Sequence, residues 1–259
     1  MIAQALTLAG SDSGGGAGIQ ADLKTFQALG VYGTSVITSV TAQNSAGIAQ
    51  AFDLPIPLIE SQLRAVLDDF SVGAAKTGML GNAQTIGAVS KILQEKKLKN
   101  VVVDPVMVSS SGFKLLEENS IEVLKKALLP LALLVTPNFS EAEVLSGLHI
   151  DSLAKMEEAA KAIHRLGPLV LIKGGHAPFR QGSDLFWDGT KFQWIEGEYI
   201  EGKKIHGAGC TYSAAITANL ALGKSLHLAI EDAKKYTENA IHSSLSVGRG
   251  LESLNHFSL

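Results

Sequence analysis

The stretch Ile2-Ala3-Gln4-Ala5-Leu6-Thr7-Leu8-Ala9 is a short apolar run that breaks at Gly10-Ser11-Asp12-Ser13-Gly14-Gly15-Gly16-Ala17-Gly18 and resumes as Ile19-Gln20-Ala21-Asp22. A strand-length apolar run, closed by glycines and followed by a helical segment, reads as the opening of a βαβ unit. The pattern recurs along the chain. Ser35 to Thr41, Gly73 to Thr77, Val101 to Asp104, Leu133 to Thr136 and Leu169 to Lys173 are further runs suited to strands, most of them continuously apolar as strands covered on both faces should be. Between them Ile59 to Phe70, Ala83 to Gln94, Ser120 to Leu129 and Leu153 to Leu166 carry helical periodicity and read as crossover helices. Asp188-Gly189, flanked by Asp184 to Trp187 and Lys191 to Ile195, is a tight-turn signal that predicts an antiparallel edge. Two helices, Thr211 to Leu222 and Leu226 to Val247, close the chain. The expectation is an α/β fold in one domain over residues 1–259, with a mostly parallel sheet and a small antiparallel edge.

Composition excludes several classes of function. The 22 Lys plus Arg against 25 Asp plus Glu leave a net charge of -3 without any basic run, so the stripe needed to track nucleic acid is missing. No apolar run reaches the roughly 20 residues that a bilayer span requires. The single cysteine, Cys210, rules out an internal disulfide and a cysteine-based zinc site, which fits a cytoplasmic protein.

In open α/β sheets ligands sit beyond the carboxyl ends of the strands, so the residues that follow each strand carry the functional reading. The first glycine-rich loop is either a phosphate cradle at a helix start or a tight strand-to-helix turn. Gly16-Ala17-Gly18-Ile19-Gln20-Ala21 matches the relaxed dinucleotide fingerprint, but no acid stands near position 40 to hold a ribose. A P-loop also fails, because Ala218 stands where Gly223-Lys224-Ser225 would need its first glycine and Gly197 to Lys204 ends in Lys204. The second cluster, His206-Gly207-Ala208-Gly209-Cys210-Thr211, opens an apolar helix. Its unpaired amides at Gly207, Ala208, Gly209 and Cys210 can stabilise charge on a transferred phosphoryl group, and the helix start is expected to lower the Cys210 pKa toward a proton-accepting thiolate. The plain alternative is inert packing of a lone cysteine. Asp104 and Glu141 each follow a strand and suit magnesium, or serve as caps and surface groups. Lys173, before two glycines, can balance phosphate charge or simply close a solvated strand. His206 and His176 read as loop hydrogen-bonding residues and receive no catalytic role.

Taken in order, Ala9-Gly10-Ser11-Asp12, Ala17-Gly18-Ile19-Gln20-Ala21-Asp22, Thr41-Ala42-Gln43-Asn44, Lys76 to Leu80, Val103 to Met107, Asn138-x-x-Glu141 and Gly207-Ala208-Gly209-Cys210 resemble the ribokinase-like family. Within it the chain is similar to the bifunctional hydroxymethylpyrimidine and hydroxymethylpyrimidine phosphate kinases of thiamine biosynthesis. That resemblance spans nearly the whole chain and implies a three-layer α/β/α fold with helices on both faces of the sheet. It also implies ATP-dependent phosphorylation of 4-amino-5-hydroxymethyl-2-methylpyrimidine to the monophosphate and then the diphosphate. By the same resemblance Asp22 and Gln43 hydrogen-bond the aminopyrimidine, Gly10, Met79 and Val106 shape its pocket, and Cys210 is the base for the alcohol step. Asn138 and Glu141 organise Mg2+ and nucleotide phosphates with Asp104 nearby, while Lys173 and Lys234 face phosphate. A homodimer is expected, and assistance by a monovalent cation stays open. Ser13-Gly14 replaces the family's usual Pro-Ser, and Ala208 its usual Thr, which keeps the backbone amide and loses a hydroxyl. Because pyridoxal kinases share Gly-Ala-Gly-Cys, a vitamin B6 kinase is the main rival, with a non-catalytic vitamin sensor behind it. Gln43 favours the aminopyrimidine, since pyridoxal kinases generally lack the Ala-Gln-Asn triplet.

Overall fold

The computed structural model describes residues 2–108, 112, 115–175, 177, 179–200 and 205–257. His176 lies outside them. The first apolar run forms β1 (Gln4–Asp12), the glycine loop turns the chain, and α1 (Gly18–Ala28) follows. Gly18 is needed there: its φ is +57°, and a Cβ would stand 2.3 Å from the Gly10 carbonyl oxygen. The chain continues through β2 (Tyr32–Asn44), β3 (Gly47–Asp53), α2 (Ile56–Asp69), β4 (Ala74–Thr77), α3 (Ala83–Lys96), β5 (Val101–Val103) and α4 (Glu118–Val123). Next come β6 (Leu134–Val135), α5 (Phe139–Ser146), α6 (Leu153–His164), β7 (Leu169–Ile172), β8 (Asp184–Trp187) and β9 (Phe192–Ile195). A two-residue strand β10 (Ile205–His206), α7 (Ala208–Ala221), α8 (Leu226–His242) and β11 (Glu252–Ser253) complete it.

Nine strands form one sheet in the order β3-β2-β1-β4-β5-β6-β7-β8-β9. The six from β2 to β7 run parallel, while the edge pairings β2–β3, β7–β8 and β8–β9 are antiparallel. Both faces are covered, and strand alternation divides the core. Leu6, Leu8, Ala75, Val101, Val103, Val135, Val170 and Ile172 pack toward α2, α3, α5 and α6. Ala5, Ala74, Val102, Leu134 and Leu171 face the other way, against α1, α7 and α8. That two-sided burial explains why these strands read as unbroken apolar runs. Among the described residues no helix is long and apolar enough to cross a membrane.

Three expectations need correction. The segment Ser120 to Leu129 is not one α-helix: after α4 the chain widens into a π-helical turn over Leu124–Leu128 and tightens into a 3₁₀ turn over Leu129–Leu131, where Pro130 removes a donor. The last helix stops at His242 rather than Val247, because Leu245 turns away to exchange backbone hydrogen bonds with Ser253. The sheet also has a second antiparallel edge, β3, where only the Asp184 to Ile195 hairpin was expected.

The turn between β1 and α1 is organised by Asp12. Its carboxylate accepts from the backbone amides of Gly14 at 2.8 Å, Gly16 at 3.0 Å and Ala17 at 2.8 Å. These amides are therefore occupied by the protein's own anion, which resolves the loop as a tight turn rather than a phosphate cradle. Burial alone would raise the Asp12 pKa, but His206 and the loop amides outweigh it and hold the group below its ordinary value. Replacing Asp12 by Ala should lower stability by about 1–3 kcal/mol through the buried donors it strands. The depressed carboxyl contributes stability that is full above the ordinary value of 3.8 and is lost as pH falls through its lower folded value. Urea unfolding of both proteins from pH 7 downward checks this: the difference between them should shrink in acid.

Candidate active site

The strand ends bring the polar residues together on one rim. Gln43 lies near the end of β2, where a register shift between Ala42 and Gln43 marks a bulge that re-aims the side chain. Its Oε1 is 3.0 Å from the Thr41 hydroxyl and its Nε2 is 3.0 Å from His206 Nε2. His206 Nε2 is also 3.0 Å from Asp12 Oδ2, so the loop hydrogen-bonding role expected for His206 is the one observed. Met79 packs its sulfur against Gly10, where a Cβ would lie 3.0 Å away. Val106 lines a crevice beyond β4 and β5 with Thr77, Gly78 and Asp104.

His206 leads into Gly207, whose φ of +88° and close approach to the Gly16 carbonyl oxygen, 1.8 Å from a hypothetical Cβ, both demand glycine. Gly207 is the N-cap of α7, and no side chain caps that helix start. Its first amides are thus left for an anion. Lys173, just past β7, stands beside them: a Cβ on Gly209 would be 3.3 Å from its Nζ. Lys173 Nζ donates to Asp104 Oδ1 at 3.0 Å, and Ser213 of α7 donates to Asp104 Oδ2 at 3.1 Å. Burial pulls the Lys173 pKa down, but Asp104 and Glu141 outweigh it and hold the ammonium above its usual range.

Asn138 and Glu141 form a capping box on α5. Asn138 Oδ1 accepts from the Glu141 amide at 2.9 Å, and Glu141 Oε2 accepts from the Asn138 amide at 2.8 Å. The other Glu141 oxygen accepts from the Met107 amide at 3.3 Å. Burial, helped by Asp104 and opposed by Lys173, raises the Glu141 pKa. Among the described residues no group of three or more His, Cys, Asp and Glu side chains is arranged to hold a metal. The donor set suits Mg2+ nonetheless: two pinned carboxylates with spare lone pairs leave room for the waters and phosphate oxygens that this ion prefers.

Three sequence-based assignments change. Cys210 does not carry a lowered pKa; burial pushes its thiol up to about 11, with Asp22 and Asp104 adding to it, against the pull of Lys76 and the Gly18 amide. Asp22, expected on the aminopyrimidine, has no exposed surface: Oδ1 meets Lys76 Nζ at 2.6 Å and Oδ2 takes the Thr7 hydroxyl at 2.6 Å. It lies beneath the site rather than in it. Lys234, expected on phosphate, donates to the Gly182 carbonyl at 2.5 Å and Asp184 at 3.0 Å, while Asp184 receives the Gly174 amide. There it braces the segment between β7 and β8.

A family profile described as phosphomethylpyrimidine kinase matches residues 12–255. The hydroxymethylpyrimidine/phosphomethylpyrimidine kinase of Bacillus subtilis is 45% identical over 258 residues, covering 99% of this chain and 95% of its own. This chain belongs to the phosphomethylpyrimidine kinase family. The Rhizobium meliloti relative is 47% identical over 261 residues, 99% of this chain and 98% of its own. Among solved structures, Bacillus subtilis pyridoxal kinase in its ADP complex superposes with a TM-score of 0.91 at 40% identity, covering 100% of this chain and 98% of that one. The phosphomethylpyrimidine kinase of Clostridium difficile gives 0.84 at 42% identity, over 93% and 100%. The fold is ribokinase-like, with the mostly parallel mixed α/β sheet expected.

For this kinase the sequence reading passed over Lys76 as a site residue. It is fully buried, ion-paired to Asp22, and 3.4 Å from the Cys210 carbonyl oxygen. A lysine inside an otherwise apolar strand, Ala74-Ala75-Lys76-Thr77, is the signal that could have found it, because a buried ammonium requires a partner. Ser213, hidden in the apolar run of α7, gave no such signal. Changing Lys76 to Met should cost about 3–5 kcal/mol by leaving the Asp22 carboxylate buried and unpaired, whereas adding Asp22→Leu should recover most of that loss. Thermal and urea unfolding of the two variants decide it. Equal losses would show that the pair is not coupled.

Proposed function

We propose that this kinase transfers the γ-phosphoryl group of ATP to the hydroxymethyl oxygen of 4-amino-5-hydroxymethyl-2-methylpyrimidine, and then to the monophosphate so formed, supplying the diphosphate for thiamine biosynthesis. The observation that carries the reading is the convergence of Lys173 and Cys210 on the uncapped start of α7, with the Gln43 amide tethered to the residue just before that loop. In this reading Gln43 binds the aminopyrimidine, while Gly10, Met79 and Val106 enclose the ring. The amides of Gly207, Ala208, Gly209 and Cys210 together with Lys173 stabilise charge on the phosphoryl group in flight. Asn138 and Glu141 border the nucleotide phosphates, and Asp104 and Glu141 hold Mg2+ through its waters, where it would neutralise phosphate charge. Residues 1–259 act as one domain in the cytoplasm. Pairing into a homodimer would cover Val40 and Phe52, which are exposed on β2 and β3; light scattering on the purified chain should return twice the monomer mass.

Cys210 is the base for the alcohol step. Its thiol is neutral at rest, so the minor thiolate fraction, formed by loss of the thiol proton to solvent, accepts the alcohol proton, and the transfer is a late event that suits a loose transition state in which the attacking oxygen bears little bonding. The monophosphate is already ionised and needs positioning and charge neutralisation instead. With a pKa of about 11, the thiolate fraction grows about tenfold per pH unit below that value. Between pH 7 and 9 the alcohol step should therefore quicken with a slope near one on a logarithmic scale, and the monophosphate step should not. Cys210→Ser should slow the alcohol step by about 100-fold and the second step far less. Equal losses in both steps, or a flat pH profile for the first, would remove Cys210 from this role.

A second reading, a pyridoxal kinase, is favoured by the likeness to pyridoxal kinases of Bacillus subtilis and of Staphylococcus aureus, the latter with AMP-PCP and pyridoxal at a TM-score of 0.90 and 37% identity. Coupled ADP release with Mg2+-ATP separates the two. Turnover with hydroxymethylpyrimidine and its monophosphate supports the first reading; turnover with pyridoxal alone supports the second, ribose should stay inert, and silence with all acceptors leaves a vitamin sensor.

A further inference from the structure

The Gln43 amide is caught between two partners whose hydrogens do not match it. His206 Nε2 lies 3.0 Å from both the amide nitrogen of Gln43 and Asp12 Oδ2. Asp12 Oδ2 already accepts from the Gly16 and Ala17 amides, so this ionised oxygen takes a third donor and the ring nitrogen must carry a hydrogen. A nitrogen that carries its hydrogen has no lone pair with which to accept from Gln43. The other end has the converse fault. The single hydroxyl hydrogen of Thr41 would have to serve both the Ser11 carbonyl at 2.9 Å and Gln43 Oε1 at 3.0 Å. Turning the carboxamide by 180° removes the donor–donor clash at His206 and frees the Thr41 hydroxyl hydrogen for Ser11, leaving one three-centre hydrogen bond at His206. His206 Nε2–H then donates to Asp12 and to the Gln43 oxygen, while the Gln43 nitrogen donates to Thr41, whose hydroxyl donates to Ser11.

We propose that His206 and Thr41 are positioning residues that fix the direction of the Gln43 amide, oxygen toward His206 and nitrogen toward Thr41, and thereby set the kinase's preference for an aminopyrimidine over a pyridine ring. A pinned amide keeps one N–H and one oxygen lone pair unused. An amino group next to a ring nitrogen offers the matching acceptor and donor, as adenine does to an amide. Pyridoxal has no amino group beside its ring nitrogen, so it can accept the pinned N–H but leaves the amide oxygen without a donor. His206 also adjoins Gly207, so the same ring that sets the amide anchors the start of the anion loop.

The substrate part of this inference rests on the pyrimidine kinase reading; the amide direction does not. The first test is nitrogen-15 NMR of the full chain labelled at histidine. His206 should carry its proton on Nε2, and a neutral ring protonated only at Nδ1 would overturn the proposal. The second test compares kcat/KM for hydroxymethylpyrimidine and pyridoxal. Thr41→Val and His206→Leu should each lower that ratio by about tenfold, chiefly through a higher KM for the pyrimidine, and together by little more, because both act through one amide. His206→Gln, which restores an N–H donor at the same reach, should recover most of the ratio. Unchanged ratios in the single variants, or losses that simply multiply in the double variant, would reject the positioning role. A wild-type enzyme that ignores the pyrimidine would defeat the pyrimidine kinase reading, and the His206 proton would still decide this one.

Discussion

One carboxylate ties the two ends of the chain into a site. Asp12 stands at the end of the first strand, yet its oxygens hold three amides of the loop that follows and the ring of His206, 194 residues later. Through that ring the start of α7 is brought against the first glycine loop so closely that the Gly207 position tolerates no Cβ against Gly16. The rim of an open parallel sheet is otherwise only a row of strand ends. With this clasp, Gln43 from β2 and the amides of Gly207 to Cys210 come to face the same space.

A second constraint lies beneath. Lys76 and Asp22 are buried without exposed surface, on a strand and a helix that both pack against α7. Two charges held there cost more than an apolar pair would, and what they supply is position and potential rather than net stability. Lys76 reaches the Cys210 carbonyl and draws the thiol's pKa down against the burial that raises it. The ammonium thus offsets part of the penalty that the neighbouring carboxylates and the low-dielectric surroundings impose on a thiolate.

Much of this was legible in the sequence, for identifiable reasons. The central strands show because burial on both faces makes them continuous apolar runs, and the rim residues show because they interrupt those runs at fixed places. Strand β3 did not show. Gly47–Asp53 is mostly exposed, so it lacks both the alternation and the apolar run that mark a strand, and β2 is the strand it pairs with. The helix α5 spans eight residues, too short for a periodic signal, although its Asn138 and Glu141 capping box stood in plain view. The partners of single residues were missed where they lie far away in sequence. Asp22 was assigned to substrate because Lys76, 54 residues away, was not foreseen as its partner. Lys234 was assigned to phosphate because Asp184, 50 residues away, was not. The Cys210 pKa was read from the helix start alone, whereas desolvation is the larger effect.

The balance of charge around α7 explains why a thiol suits this position. Lys76 and Lys173 face Asp22, Asp104 and Glu141, two ammoniums against three carboxyls, before any phosphate arrives. A permanently ionised base next to the anion loop would deepen that deficit where a polyphosphate must approach. In the proposed mechanism a thiol held near 11 stays neutral while substrates bind, and its minor thiolate form accepts the alcohol proton and returns to the neutral thiol as negative charge moves toward the leaving nucleotide. In that mechanism the uncapped amides of α7 would carry the neutralisation that side chains do not, and backbone dipoles would do so without adding a further charge to be desolvated. Ala208 fits that proposal: a residue that offers only its amide would suffice for an anion hole in which the side chains are assigned elsewhere.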